Sequence, residues 1–259
     1  MECTLIFACL ASFVARADLD VASPDHQCGR GEQRPQHRPG DKVLQLGSRH
    51  GGQARGEECR GIYQVARGAH DSDNRHVIEL LPSWPVIPPA CGSIVLREFT
   101  DQDAHLAVEL GNDPYIPLIG SLPAYPTDQQ ALDWICRQRG RLAEGTGLSF
   151  AIAEAGTGKA VGTIGLWLRN LPAGRATAGY SVPAVYRGRG IASSALTALT
   201  TFAWTIPALH RIELYIEPWN GSSIRVAEAS GYQREGLLRS HQEIGGIRRD
   251  MLLYAATRP

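Results

Sequence analysis

Arg187-Gly188-Arg189-Gly190-Ile191-Ala192 is the stretch on which the reading of this chain turns. It follows Arg175 to Val182, which reads as a strand, and it opens Ile191 to Trp204, which is helical by propensity and pattern and ends before Pro207. The first N–H groups of a helix have no partner inside it and sit at the positive end of its dipole. Glycine lets a pyrophosphate approach those amides closely, and two arginines can add charge. The local pattern therefore predicts an anion cradle. The plain alternative is a surface Arg/Gly turn that merely starts a helix; the strand before, the helix after and the two glycines favour the cradle.

Working outward, Ile94 to Phe99 reads as a first strand, and Asp101 to Leu110 as a short helix stopped by Asn112-Asp113-Pro114. Thr127 with Gln130 is a capping-box pattern, behind which Leu132, Ile135 and Leu142 share a helical face. Arg137, Arg139 and Arg141 fall largely outside that stripe and are expected on a solvated face. Leu148 to Glu154 and Ala160 to Leu168 make a hairpin around Ala155–Lys159. Downstream, Arg211 to Glu217 alternates as a half-buried strand, Ser222 to Ser230 is a helix closed by Gly231, and Tyr232–Ser240 and Arg248–Ala256 finish as strands. The fold class is mixed α/β, with helices flanking a central sheet.

The segment Ala178 to Ala192 resembles motif A of the GNAT (GCN5-related N-acetyltransferase) superfamily, whose pattern Gln/Arg-x-x-Gly-x-Gly/Ala is filled by Arg187, Gly190 and Ala192. Arg211 to Ser223, then Ala229-Ser230-Gly231-Tyr232, resembles motif B, and in particular the branch that acetylates N-termini of ribosomal proteins. The resemblance covers residues 92–259 and implies a six- to seven-stranded mixed sheet. It implies acetyl-CoA as co-substrate, with a primary amine, on a protein N-terminus or a small molecule, as acceptor. Backbone groups of Tyr180, Ser181 and Val182 would hold the pantetheine as an added strand would. Amides of Arg187, Gly188, Arg189, Gly190, Ile191 and Ala192 would take the pyrophosphate, and Asn220 would hydrogen-bond the pantetheine arm. The thioester would lie where the strand ending at Val182 splays from the strand Arg211–Glu217. An Asn after a strand is otherwise a turn or cap residue.

Attack of an amine on a thioester needs a base for the ammonium, a polarised carbonyl and a proton for the thiolate. The tyrosine that many family members place seven residues after the motif-B Asn is Ala227 here. Ser223, where the ribosomal-protein branch carries a serine, is the candidate acid, against the simpler role of capping its helix. The family's glutamate on the strand before the loop corresponds to Thr177. Glu213 and Glu217 share a face of the next strand and are candidate bases, with surface placement the default for each; Tyr180, Tyr215 and catalysis by positioning remain open. Two rivals stand beside this reading. Gly188-x-Gly190-x-x-Ser193 imitates a dinucleotide-binding loop of an NAD-dependent oxidoreductase, but Ser193 replaces the third glycine and the next strand alternates. A non-catalytic acyl-CoA-binding sensor or scaffold is kept alive by the residues at 177 and 227.

Over 259 residues, 26 Lys plus Arg balance 26 Asp plus Glu, which gives no reason to expect nucleic acid or an anionic membrane as partner. No apolar run of about 18 residues predicts a spanning helix. Residues 1–76 hold four of the six cysteines and five of the eight histidines in an Arg/Gly-rich setting without periodicity. They read as a disordered leader or a start codon set too far upstream, ahead of a secretory-signal reading and a zinc reading. Residues 77–91 read as a proline-rich linker. No metal site is expected. The expected compartment is the cytoplasm, and the expected assembly a monomer or homodimer.

Overall fold

The computed structural model describes residues 80–259; the readings of residues 1–76 lie outside the described residues. Eight strands, β1 (Ala90–Cys91), β2 (Ile94–Arg97), β3 (Gly147–Glu154), β4 (Ala160–Trp167), β5 (Arg175–Ser181), β6 (Arg211–Ile216), β7 (Gln233–Ile244) and β8 (Ile247–Thr257), form one sheet. Their order is β1-β2-β3-β4-β5-β6-β8-β7. Five α-helices accompany it among the described residues: α1 (Ala104–Gly111), α2 (Ile116–Ile119), α3 (Asp128–Gly140), α4 (Ile191–Ala203) and α5 (Gly221–Ala229).

Only β5 and β6 run parallel; every other neighbouring pair is antiparallel. That topology removes the NAD-dependent rival, because a dinucleotide crevice is built between strands of a mostly parallel sheet. The sheet separates two apolar clusters. On one face Phe150, Ile164, Leu214 and Tyr254 pack with Ala195, Leu196 and Leu199 of α4 and Ala227 of α5. On the other, Ala151 and Met251 pack with Leu106 and Leu110 of α1 and Trp134 and Ile135 of α3. Covered on both faces, β3 and β4 are buried almost throughout, which is why neither shows a clean polar–apolar alternation.

The eighth strand exceeds the expected six or seven. It lies in the segment read as a linker, where two residues are too few for periodicity to show, yet Ala90 and Cys91 pair with Val95 and Ile94. Pro89 accepts a hydrogen bond from Leu96 N at 2.8 Å, and the Trp84 ring lies 4.8 Å from that of Phe150. The capping box of α3 forms as expected: Thr127 Oγ1 accepts from Gln130 N, and Gln130 Oε1 accepts from Thr127 N. Behind it the buried stripe is Ala131, Trp134, Ile135 and Gln138. Leu132 is only half-buried and Leu142 lies beyond the helix end. Arg141 is not on a solvated face. Its guanidinium stacks over Trp167 at 5.2 Å, and burial pushes its pKa down to about 10.

The Asn112-Asp113-Pro114 stop ends α1 at Gly111 and starts something unforeseen. Asp113 Oδ1 accepts from Tyr115 N and Ile116 N, at 2.9 and 3.2 Å, and so opens the single turn of α2. At the far end of α5, Tyr232 N donates to Ala227 O and Gly231 N to Glu228 O, the two bonds of a Schellman closure.

Candidate functional site

Gly188 and Gly190 take φ of +78° and +73°, the left-handed region that a side chain resists. A Cβ on either would meet nothing within 4 Å, so backbone conformation rather than crowding demands glycine there, and the space over the loop is open. Gly190 is the N-cap of α4 and its carbonyl accepts from Ser194 N at 3.0 Å. The amides of Ile191, Ala192 and Ser193 are then left without intrahelical acceptors at the positive end of a thirteen-residue helix.

The arginines behave differently from the expectation that both lend charge to the cradle. Arg187 Nη2 donates to Asp113 Oδ2 at 2.6 Å and Nε to Val182 O at 2.8 Å, so its side chain braces the loop against the segment that follows α1 and the end of β5. Arg189 is exposed; it donates to Val185 O and lies 5.7 Å from the Tyr186 ring, which also has Lys159 Nζ within 5.4 Å. Tyr186 and Asp113 were not singled out from the sequence: the first sat inside a loop motif as a spacer, the second as a helix stop.

β5 and β6 are in register only at Arg175↔Arg211, Ala176↔Ile212 and Thr177↔Glu213. Beyond that point β5 continues beside β4 and β6 continues beside β8, and the two strands part. The parting leaves the β6-facing edge of Ala178–Ser181 without a strand to pair with. A cavity of about 320 Å³ adjoins it, lined by Tyr180, Val182, Tyr186, Arg187, Gly188, Gly190, Ile191, Ala192 and Ser193 on one side and by Ser222, Ser223, Arg225, Val226 and Ala229 of α5 on the other. Of the sequence-selected cradle residues, Tyr180, Val182, Arg187, Gly188, Gly190, Ile191 and Ala192 come together at this cavity; Ser181 and Arg189 do not line it. Ser181 faces away, fully buried opposite Thr163, and the hydroxyls of both lack a hydrogen-bond partner among the described residues.

Asn220 is buried and caps α5, its Oδ1 accepting from Ser223 N at 3.1 Å; it is not a lining residue. Ser223 is 1% exposed and lines the cavity from the first turn of α5. Arg225, which the sequence reading passed over, donates to Ser222 Oγ at 3.1 Å and also lines it. Its signal was available: Ser222, Arg225 and Ala229 recur at helical spacing on one face. Ala227 points instead into the apolar core.

Glu213 and Glu217, expected at the surface, are each 4% exposed. Glu213 sits at the last β5–β6 pair and is engaged at both oxygens: it accepts from Arg211 Nε at 2.7 Å and from Tyr215 Oη at 2.8 Å, with Arg175 at 3.8 Å. Burial, then the bond to Glu213, pushes the Tyr215 phenol up to about 12, so it holds its proton. Glu213 therefore anchors the paired end of the two strands. Glu217 lies past the parting, where Tyr115 Oη donates to its Oε2 and Arg249 Nε stands 3.8 Å from Oε1. No group of three or more metal-ligating side chains occurs among the described residues.

A family model described as acetyltransferase (GNAT) domain matches residues 93–233. N-acetyltransferase p20 of Bacillus licheniformis, itself described as uncharacterized, is 29% identical over 162 residues, spanning 62% of this chain and 91% of p20. Among solved structures, Mycobacterium smegmatis RimJ in complex with a CoA disulfide is 30% identical over 67% of this chain and 86% of RimJ, with a TM-score of 0.57. RimL, a ribosomal L7/L12 alpha-N-protein acetyltransferase solved with coenzyme A, shares the fold at 20% identity and a TM-score of 0.58, over 66% of this chain and 97% of RimL.

Proposed function

From the premise that this chain belongs to the GNAT acetyltransferase family, we propose that it binds acetyl-CoA in the cleft between β5 and β6 and transfers the acetyl group to a primary amine, on a peptide N-terminus or a small molecule. The observation that carries the reading is the end of the β5–β6 ladder at Thr177 and Glu213, beside a helix whose glycine-capped N-terminus opens onto the same cavity. The residues fit the donor. The bared edge of Ala178–Ser181 offers strand-type hydrogen bonds to a pantetheine arm, and the amides at the head of α4 offer donors to a pyrophosphate. Because Arg187 is engaged with Asp113, the anion is met chiefly by backbone N–H groups and the helix dipole.

The transfer forms an N–C bond from amine to acetyl carbon and breaks the C–S bond; the ammonium's proton leaves to a base and the departing thiolate takes one up. Ser223 is the nearest candidate for that last proton, since its hydroxyl lines the cavity and its helix cap is supplied by Asn220, not by itself. The bonds from Arg211 and Tyr215 to Glu213 argue against it as the base. A second reading, a binding protein without turnover, draws on the absence of any polar side chain at 227.

Turnover separates the two. Full-length protein mixed with acetyl-CoA and a panel of short peptides and alkylamines is expected to release CoA thiol in an amine-dependent way. Ser223→Ala is expected to lower kcat by about tenfold or more with acetyl-CoA affinity unchanged. Saturable acetyl-CoA binding with no amine-dependent thiol release would leave the sensor reading standing in place of the enzyme.

A further inference from the structure

The loop joining α1 to α2 is fastened to both lips of the cleft. Asp113 holds Arg187, the sixth residue past the end of β5, and Tyr115 holds Glu217, the first residue past the end of β6. Two residues of extended chain reach about 7 Å, so one short segment ties the parted strands across their open end. The first tie is an ion pair between side chains 16% and 11% exposed, well shielded from solvent. The second is a phenol on a carboxylate.

Glu217 differs from the equally buried Glu213, whose two oxygens both accept hydrogen bonds. Glu217 is 4% exposed, yet only Oε2 is hydrogen-bonded among the described residues; Oε1 has the Arg249 guanidinium at 3.8 Å, beyond hydrogen-bond length. Oε1, held only by a long-range ion pair, keeps room to accept a further donor, and a charged N–H is the strongest one available to a carboxylate. Its register places it on the face of β6 shared with Glu213 and Tyr215, opposite Ile212, Leu214 and Ile216, which pack in the cluster with α4 and α5. The donor cavity is lined by α4 and α5, so Glu217 lies across the opened sheet from it. Beside it Tyr115 meets the half-exposed Trp219 edge to face at 5.3 Å, giving an aromatic wall open to solvent.

Resting on the donor assignment above, we propose that Glu217 is the residue that receives the acceptor amine: its Oε1 binds the incoming ammonium and takes its proton, while Tyr115 and Arg249 hold the carboxylate in place. Tyr115 keeps Oε2 oriented, and the Tyr115–Trp219 pair covers the carbon bonded to nitrogen. Arg249 shapes the choice of acceptor. A second cationic group close to the reacting amine meets the guanidinium, whereas a carbonyl oxygen there is a partner for it. The site therefore takes a monocationic primary amine with an apolar or carbonyl-bearing neighbour, and disfavours polyamines.

The experiment uses full-length protein and three probes: propylamine, alanine amide and spermidine, with thiol release measured against acetyl-CoA and donor affinity followed separately by thermal shift. Alanine amide and propylamine are expected to be acetylated in preference to spermidine. Glu217→Gln is expected to cut kcat/KM for the two preferred amines by about tenfold to a hundredfold, the loss of a charge-assisted bond. Acetyl-CoA affinity should stay within about twofold, as for a residue making no donor contact. Arg249→Ala is expected to narrow the gap between alanine amide and spermidine. Unchanged kcat/KM in Glu217→Gln, a preference for spermidine, or no acetylation of any probe by a chain that binds acetyl-CoA overturns the assignment while the donor cleft stands. Failure of the unmodified chain to bind acetyl-CoA overturns the donor reading itself.

Discussion

Gly190 shows how much of the site rests on single backbone angles. At φ +73° with open space around it, a side chain there collides with no neighbour, and the penalty is conformational. A β-branched residue in the left-handed region costs about 1–2 kcal/mol, and it tilts the first amides of α4 away from their common focus. Gly190→Val is therefore expected to weaken acetyl-CoA by about tenfold or more in calorimetric titration, whereas Gly190→Asn, which tolerates that region, keeps most of the affinity. Equal affinity in the valine variant would mean that the amides of the loop do not hold the anion. At this scale the sequence was readable where the backbone itself does the work, as at Gly188 and Gly190. It misled where a side chain has a choice of partner. Arg187 carries the charge the motif suggested but spends it on Asp113, seventy-four residues away in sequence. Nothing local to Glu213 or Glu217 distinguished a carboxylate hydrogen-bonded at both oxygens from one hydrogen-bonded at a single oxygen.

Elements were legible when their pattern ran long enough. The capping box of α3, the glycine closure of α5 and the apolar face of β6 all appear where expected, because each is a local rule repeated over several residues, although the polar face of β6 is at least half-buried too. β1 and α2 were hidden for the opposite reason: two and four residues long, they exist through tertiary partners rather than through propensity. The start of α1 offers a test at the same scale. Burial pushes the Asp103 carboxyl up, but the two-pronged bond from Arg97 and the amide of Thr100 pull it further down, to a net value below the usual carboxylate range. A carboxyl lowered on folding stabilises the native state above its unfolded pKa of about 4, and that contribution is lost as pH falls through the lower folded value. Asp103→Asn is expected to cost about 1–3 kcal/mol at pH 7 in urea unfolding, with the difference from the unmodified protein closing below about pH 4. A deficit that stays constant down to pH 3 would place the loss in packing instead.

For the molecule as a whole, the family assignment and the mixed sheet make one claim: the sheet is opened at β5 and β6 so that an extended ligand can lie in the gap. The resemblance read from residues 178–192 and 211–232 reached that architecture because both motifs border the gap directly. The loop from α1 that ties its ends was beyond reach, since two long-range contacts define it and no periodicity announces them. A ligand that completes the sheet and neutralises a helix terminus binds only the folded chain. At about 100 times its dissociation constant such a ligand adds about 2.7 kcal/mol, which for a folded region of this size is a rise of about 5–10 °C in Tm. Thermal unfolding of the full-length protein with saturating acetyl-CoA, beside NAD as control, is the most direct measurement. A rise of that order with acetyl-CoA and none with NAD is the predicted result. An unchanged Tm with acetyl-CoA from a cooperatively folded protein would contradict the donor cleft, and the glycine loop would then be an ordinary helix start.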